Sequence, residues 1–172
     1  MFLNYFKDFS TKKIVKNSLS NVKHLASDTI IKTVGIIFDE SYFYEREALV
    51  QELIQKGIAE NDIKILVYKD KIKKNEVFDY PVFSHKDLSW HGTVDKKEVK
   101  EFIKEPFDLL INYYDTEKVA LLLVSHLSKA SFKVGFATVD KRLNHFMINT
   151  NAENYKVFME ELFKYLKILN KI

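Results

Sequence analysis

Runs of consecutive apolar residues, many of them β-branched, alternate along this chain with amphipathic segments. The clearest runs are Thr33–Phe38 and Phe107–Asn112. A strand that is apolar at consecutive positions is buried on both faces, which is typical of a parallel sheet covered by helices. The alternation of such strands with helices therefore predicts a layered α/β fold.

The full set of predicted elements makes this fold class more specific. We predict strands at Thr33–Phe38, Ile63–Tyr68, Phe107–Asn112, Phe132–Phe136 and Phe146–Asn149, and helices at 2–26, 42–56, 117–128 and 152–169. This order predicts a three-layer, mostly parallel sheet of the Rossmann-like or flavodoxin-like kind, with helices on both faces and an N-terminal helical extension.

Residues 77–94 do not follow the alternation, and we expect short extended pieces there. Pro81 argues against a central strand, because proline cannot donate a hydrogen bond to a sheet ladder. Thr93 or Asp95 is a candidate cap for a short helix that ends at Ile103.

Cysteine is absent from the 172 residues. This excludes a disulfide scaffold, a thiolate metal site and a cysteine nucleophile, and it fits a reducing compartment. No apolar run approaches the ~20 residues that a membrane-spanning helix needs. Lysines interrupt the apolar residues near the N-terminus, which does not match a signal peptide. We expect a cytoplasmic protein without a transmembrane segment.

The positive charge of the chain is concentrated at its N-terminus. Residues 1–32 contain six lysines and two aspartates, a net charge of +4 within a total of +3. We therefore divide the chain into a basic amphipathic segment, residues 1–30, and a single α/β domain, residues 31–172.

Lysines and phenylalanines in the basic segment are candidates for partner binding. The candidate residues are Phe2, Phe6, Lys12, Lys13 and Lys16. They fit contact with a protein, an RNA or a membrane surface. The alternative, which we favour, is that this helix docks on the sheet and its lysines face water.

Polar residues follow two predicted strands at the point where each strand ends. Asp39, Glu40 and Ser41 follow the first strand, and Tyr114 and Asp115 follow the third. If these strands are neighbours, the three carboxylates meet at the carboxyl edge of the sheet, where α/β proteins bind ligands.

Carboxylates at that edge can hold Mg²⁺, with Asp39 and Asp115 as its candidate ligands. The alternative, which we also favour, is that Asp39, Ser41 and Asp115 cap the helices that follow.

Trp90 and Arg142 complete the set of candidate ligand-binding residues. Trp90 lies beside Gly92 in the irregular segment and can stack on a ligand, although an indole that closes one end of the core is favoured. Arg142 lies in a polar loop and can bind a phosphate or carboxylate, although a solvated loop is at least as consistent with the sequence.

The common nucleotide-binding and catalytic motifs are missing. The sequence has neither G-x-G-x-x-G nor a Walker lysine loop, and it has no G-x-S-x-G elbow. Nucleotide binding of the usual kind and serine hydrolysis are therefore disfavoured. The sequence predicts no specific cofactor and does not decide whether the protein is an enzyme.

Several stretches of the chain resemble known families. The stretch 107–136, together with DKRLNHFMINT at 140–150, KTVGIIFDE at 32–40 and DLSWHG at 87–92, resembles a family of short Bacteroidota proteins of unknown function. This resemblance implies no catalytic residues. Asp108–Asn112 and Lys133–Phe136 are also faintly similar to the N-terminal half of heptosyltransferase-type glycosyltransferases, whose second domain supplies the nucleotide-sugar site.

Two functional hypotheses therefore remain. The first is a non-enzymatic binding or assembly module that uses its basic N-terminal helix. The second is a small enzyme or ligand sensor with an acidic, Mg²⁺-binding site at the carboxyl edge of the sheet. The aromatic content, 14 Phe and 9 Tyr, also fits a homodimer built on an exposed apolar patch.

Overall fold

A computed structural model describes residues 12–13, 15–19, 29–41, 43–89 and 92–172. The strands are β1 (Val34–Asp39), β2 (Ile63–Tyr68), β3 (Val82–Phe83), β4 (Leu109–Tyr113), β5 (Phe132–Phe136) and β6 (Phe146–Ile148). The helices are α1 (Arg46–Gln55), α2 (Lys97–Lys104), α3 (Val119–Leu127) and α4 (Tyr155–Ile168). Residues 12–13 and 15–18 are also helical.

All six strands belong to one parallel sheet with the order β3-β2-β1-β4-β5-β6. Strand β1 lies in the middle of the sheet. Strands β2 and β3 follow on one side of it, and β4 then pairs with its other side. The strand order therefore reverses between β1 and β4, which is the usual position of a ligand crevice in such sheets. The predicted fold class is confirmed.

The helices form two layers. Helices α1 and α4 contact each other, and so do α2 and α3. Connections between parallel strands are right-handed. The connection through α1 runs from β1 towards β3, and the connection through α3 runs from β4 towards β6, so α1 and α3 lie on opposite faces of the sheet.

Strands β1 and β4 form the centre of the core. Every residue of both strands is buried, as their continuous apolar sequence predicts. Asp108 fixes the start of both strands, because one carboxylate oxygen accepts hydrogen bonds from the backbone N–H groups of Lys32 and Thr33 and from the Thr33 hydroxyl. On the carboxyl side, the ring of Tyr113 packs 5.7 Å from that of Phe38.

A buried polar network links β4 to α3 and to the loop before β6. The amide of Asn112 donates to Asn144 at 2.7 Å, and the Ser125 hydroxyl donates to the Asn112 side-chain oxygen at 2.8 Å. The proton of Ser125 is thereby used, so the Tyr114 hydroxyl donates to Ser125, at 2.6 Å. The network is satisfied at Asn112, Ser125 and Tyr114, whereas the side-chain nitrogen of Asn144 is buried with no hydrogen-bond partner among the described residues.

Several boundaries differ from the predictions. The segment with Pro81 contributes a sixth strand, β3, which is only two residues long and lies at the sheet edge. Neither Thr93 nor Asp95 caps α2, because the residue at its N-cap is Lys96 and no side chain caps it. The prediction of a cap at either position is therefore wrong.

Gly35 allows a close approach between β1 and the aromatic residues that cover it. A β-carbon at this position would lie 2.6 Å from the Phe107 ring and 3.1 Å from the Phe102 ring. We expect Gly35→Ala to lower the free energy of unfolding by about 1–3 kcal/mol, because both rings are buried and must shift. Urea denaturation measures this change.

Lys100→Ala is the control, because Lys100 is exposed on α2. We expect it to change the stability by less than about 0.5 kcal/mol. Equal stability of Gly35→Ala and the original protein would contradict the packing that we describe.

Candidate functional site

The carboxyl edge of the sheet brings the ends of β1, β2 and β4 together. Asp39 is paired with Tyr68 in the β1–β2 register, and Phe38 is paired with Tyr113 in the β1–β4 register. The residues that follow these strands therefore lie around the point where the strand order reverses, which is where such sheets form their crevice. The predicted placement of 39–41 and 113–116 on one edge follows from this register.

Lys118, at the N-cap of α3, lies across this crevice. Its ammonium group is 2.8 Å from one carboxylate oxygen of Asp39, and it donates to the Ser41 hydroxyl at 2.9 Å and to Asp70 at 3.0 Å. Asp39 is only 4% exposed, so its charge depends on this partner. Asp39 and Ser41 therefore belong to an internal ion-pair network.

A second network surrounds Glu40. Arg46 donates to one oxygen of Glu40 at 2.7 Å, Tyr80 donates to the same oxygen at 2.9 Å, and Lys69 lies 3.3 Å from the other oxygen. The guanidinium of Arg46 also stacks over the Tyr80 ring at 3.7 Å. Lys69 also forms an ion pair with Glu76, which raises the pKa of Lys69 and lowers the pKa of Glu76.

Asp115 has hydrogen-bond partners different from those of Asp39 and Glu40. One of its side-chain oxygens accepts the backbone N–H of Ala152 at 2.9 Å. Its backbone carbonyl accepts the Thr138 hydroxyl at 2.8 Å. Asp115 therefore anchors the loops that precede β6 and α4.

The three carboxylates do not form the predicted cluster. In the described part of the chain, no three His, Asp or Glu side chains are arranged to hold a metal ion. The capping alternative is wrong for Asp39, Ser41 and Asp115 as well. The N-caps of α1 and α3 are Glu45 and Lys118, and neither helix has a side-chain cap.

Tyr114 points into the protein and not into the crevice. It is fully buried, its hydroxyl belongs to the network with Ser125, and burial raises the pKa of its phenol. Its predicted role as a ligand-binding residue at the sheet edge is not supported by this position. Trp90, Phe2 and Phe6 lie outside the described residues.

Arg142 holds the N-terminal segment against the domain. Its guanidinium donates to the backbone carbonyls of Lys16 and Leu19 at 3.0 and 3.3 Å, and Asp140 orients it through a 2.7 Å ion pair. Because Arg142 donates to the Asp140 carboxylate, the pKa of Asp140 is lowered to about 2. Arg142 is therefore occupied by the protein's own backbone.

The same segment contributes two residues to the core. Val15 and Leu19 are buried, and Lys16 forms a 2.8 Å ion pair with Glu117. Lys12 and Lys13 are exposed. The docking alternative that we favoured for the basic segment is consistent with these contacts.

Lys133 lies on β5 and is buried, and the sequence patterns did not single it out. It is 5% exposed, and its ammonium group donates to the backbone carbonyls of Ser125 at 2.7 Å and His126 at 3.4 Å, in the last turn of α3. In the described part of the chain Lys133 has no carboxylate partner. Burial lowers its pKa to about 8.

The chain belongs to the family of unknown function DUF6913. The family model matches residues 7–169, which includes most of the N-terminal segment. No curated protein and no solved structure is similar enough to match. The predicted resemblance to a family of unknown function is confirmed. The taxonomic range and the glycosyltransferase similarity stay predictions.

Removal of the Lys118 charge tests the ion pair in the crevice. We expect Lys118→Met to lower the free energy of unfolding at neutral pH by about 3 kcal/mol, because it leaves the Asp39 carboxylate buried without a partner. Urea denaturation measures the change. The double variant Asp39→Asn/Lys118→Met restores part of the loss, and a double variant that shows purely additive losses would contradict a direct coupling.

The buried Lys133 predicts a pH dependence of stability. The pKa of this lysine is about 10.4 in the unfolded chain. In the folded protein its pKa is about 8. Between these values the unfolded state binds more protons, so stability rises with pH. We expect the free energy of unfolding of the original protein to rise over this window relative to that of Lys133→Met.

Lys156→Met is the control, because Lys156 is exposed on α4. We expect its pH profile to run parallel to that of the original protein. A parallel profile for Lys133→Met as well would contradict the lowered pKa.

Proposed function

We propose that this protein is a non-enzymatic binding module whose basic N-terminal segment contacts a polyanionic partner. One observation carries the proposal: Arg142 holds the backbone of residues 16–19 on the domain, while Lys12 and Lys13 remain exposed. A lysine-rich segment that is held in place loses less conformational freedom on binding than a free tail does.

The state of the sheet edge supports binding over catalysis. The crevice residues Asp39 and Glu40 are both engaged by cations of the same chain, Lys118 for the first and Arg46 and Lys69 for the second. A ligand at this edge must break a buried ion pair, which costs several kcal/mol. The geometry therefore favours contact through exposed surfaces.

The packing of the segment narrows the kind of partner. Of the apolar residues described in this segment, Val15 and Leu19 are buried in the domain and are not available to enter a bilayer, and Ile30 alone is exposed. The exposed charged groups described in the segment are Lys12 and Lys13, which attract phosphate or carboxylate groups. We therefore favour an RNA or an acidic protein surface, which present the same polyanionic chemistry, over membrane insertion.

The other expectations from the sequence remain parts of this proposal. They are the division of the chain at residue 30, a cytoplasmic location that the lack of cysteine supports, and a homodimeric state. Among the described residues, no helix combines the length and the apolar character needed to span a bilayer.

Heparin affinity chromatography tests the segment as a polyanion-binding surface. We expect Lys12→Glu/Lys13→Glu to elute at clearly lower salt than the original protein, because two exposed cations are reversed. Lys71→Glu/Lys74→Glu is the matched control, since it reverses two exposed lysines in the loop after β2. We expect the control to keep most of the retention.

An equal loss of retention in both variants would show that net charge alone drives the interaction and would contradict the proposal. The alternative, an enzyme or sensor at the sheet edge, has its own signature. It requires Mg²⁺, a nucleotide or a sugar phosphate to raise the Tm of the protein and Asp39→Asn to abolish that rise.

A further inference from the structure

The outer edge of β2 is only partly covered by β3. Strand β3 pairs with β2 at two positions, Val67 with Val82 and Tyr68 with Phe83. Residues 63–66 of β2 have no described strand beside them on this side, although β1 pairs with them on the other. A stretch of sheet edge is therefore open for further strand pairing.

Pro81 is the reason that the pairing stops. The N–H of Val67 donates to the Pro81 carbonyl at 3.0 Å, and the N–H of Lys69 donates to the Phe83 carbonyl at 2.9 Å. The next bond of this parallel ladder would run from the N–H of residue 81 to the carbonyl of Ile65, and proline has no N–H. The N–H and carbonyl of Ile65 therefore face outward, and no described residue bonds to them on this side.

A groove lies along this open edge. It has a volume of about 430 Å³ and runs between β2, the segment 79–81 and helix α2. Ile63, Ile65 and Phe102 provide its apolar lining. The dimensions and the exposed strand backbone suit an extended peptide, whose main chain pairs with the edge and whose side chains enter the groove.

The rim of the groove is acidic. Its lining includes Asp79, Glu98, Glu101 and Glu105 against a single lysine, Lys64. Lys64 is held by Glu105 at 2.9 Å. Asp79 and Glu98 have no ion-pair partner among the described residues. Unpaired carboxylates beside an apolar floor attract lysine or arginine side chains.

We propose that the outer edge of β2 binds an extended, basic segment of a partner protein, which adds to the sheet as a strand. The Ile65 backbone supplies the main-chain hydrogen bonds, and Asp79 and Glu98 bind the cationic side chains. This surface is distinct from the basic N-terminal segment. It lies beside β2 and β3, whereas Arg142 and Glu117, which hold that segment, follow β5 and β4.

Synthetic peptides test the proposal on the full chain. The probe is a fluorescent peptide of alternating valine and lysine, about six residues long, the usual length of a strand. A second probe carries the same residues with N-methyl groups on alternate peptide bonds, and a third replaces lysine by glutamate. Fluorescence anisotropy measures binding, and amide hydrogen exchange reports on Ile65.

We expect the valine–lysine peptide to bind and to slow the exchange of the Ile65 amide. The N-methylated and glutamate peptides bind weakly, because one lacks the main-chain donors and the other has the wrong charge. Asp79→Lys/Glu98→Lys weakens binding by roughly tenfold or more. Glu153→Lys/Glu160→Lys, which reverses two exposed carboxylates at α4, is the matched control and keeps the affinity.

Three results would overturn the proposal. Equal binding of the N-methylated peptide would show that charge alone drives the contact. An unchanged Ile65 amide would place the peptide elsewhere. An Ile65 amide that is already protected without peptide, together with dimers in analytical ultracentrifugation, would show that a second copy of this chain covers the edge. The comparison of the three peptides uses the original protein, so its result does not depend on whether the charge-reversal variant folds.

Discussion

The ion pair between Lys118 and Asp39 fixes the charges at the central crevice of this domain. It forms at the point where the strand order reverses, and it joins the end of β1 to the start of α3. An isolated charge at the position of Asp39 would be costly, so the partner is required once the carboxylate is buried. The same contact stabilises the fold and occupies the place where related architectures bind their ligands.

The surfaces that remain available have opposite charges and lie on different parts of the sheet. The exposed lysines of the N-terminal segment are held near the loops after β4 and β5, and the acidic groove follows the outer edge of β2. A domain with separate basic and acidic surfaces can contact two partners at the same time.

The fold was predictable because burial on both faces leaves a strong signal in the sequence. Strands β1 and β4 are continuous apolar runs, and they are buried at every position. The site was less predictable, because the partners of its charges are distant in sequence. Nothing local indicates that Lys118 contacts Asp39, which is 79 residues away, or that Tyr80 contacts Glu40 across 40 residues. Strand β3 was expected only as one of the short extended pieces in 77–94, because two residues are too few to show a period.

The way Arg142 holds the N-terminal segment has a consequence for which positions of the segment can change. The guanidinium binds main-chain carbonyls of Lys16 and Leu19, which every amino acid possesses. The contact with Arg142 therefore does not depend on the side chains at positions 16 and 19, whereas the Lys16–Glu117 ion pair and the burial of Val15 and Leu19 do. The outward-facing residues Lys12 and Lys13 can therefore be exchanged without a change in these attaching contacts.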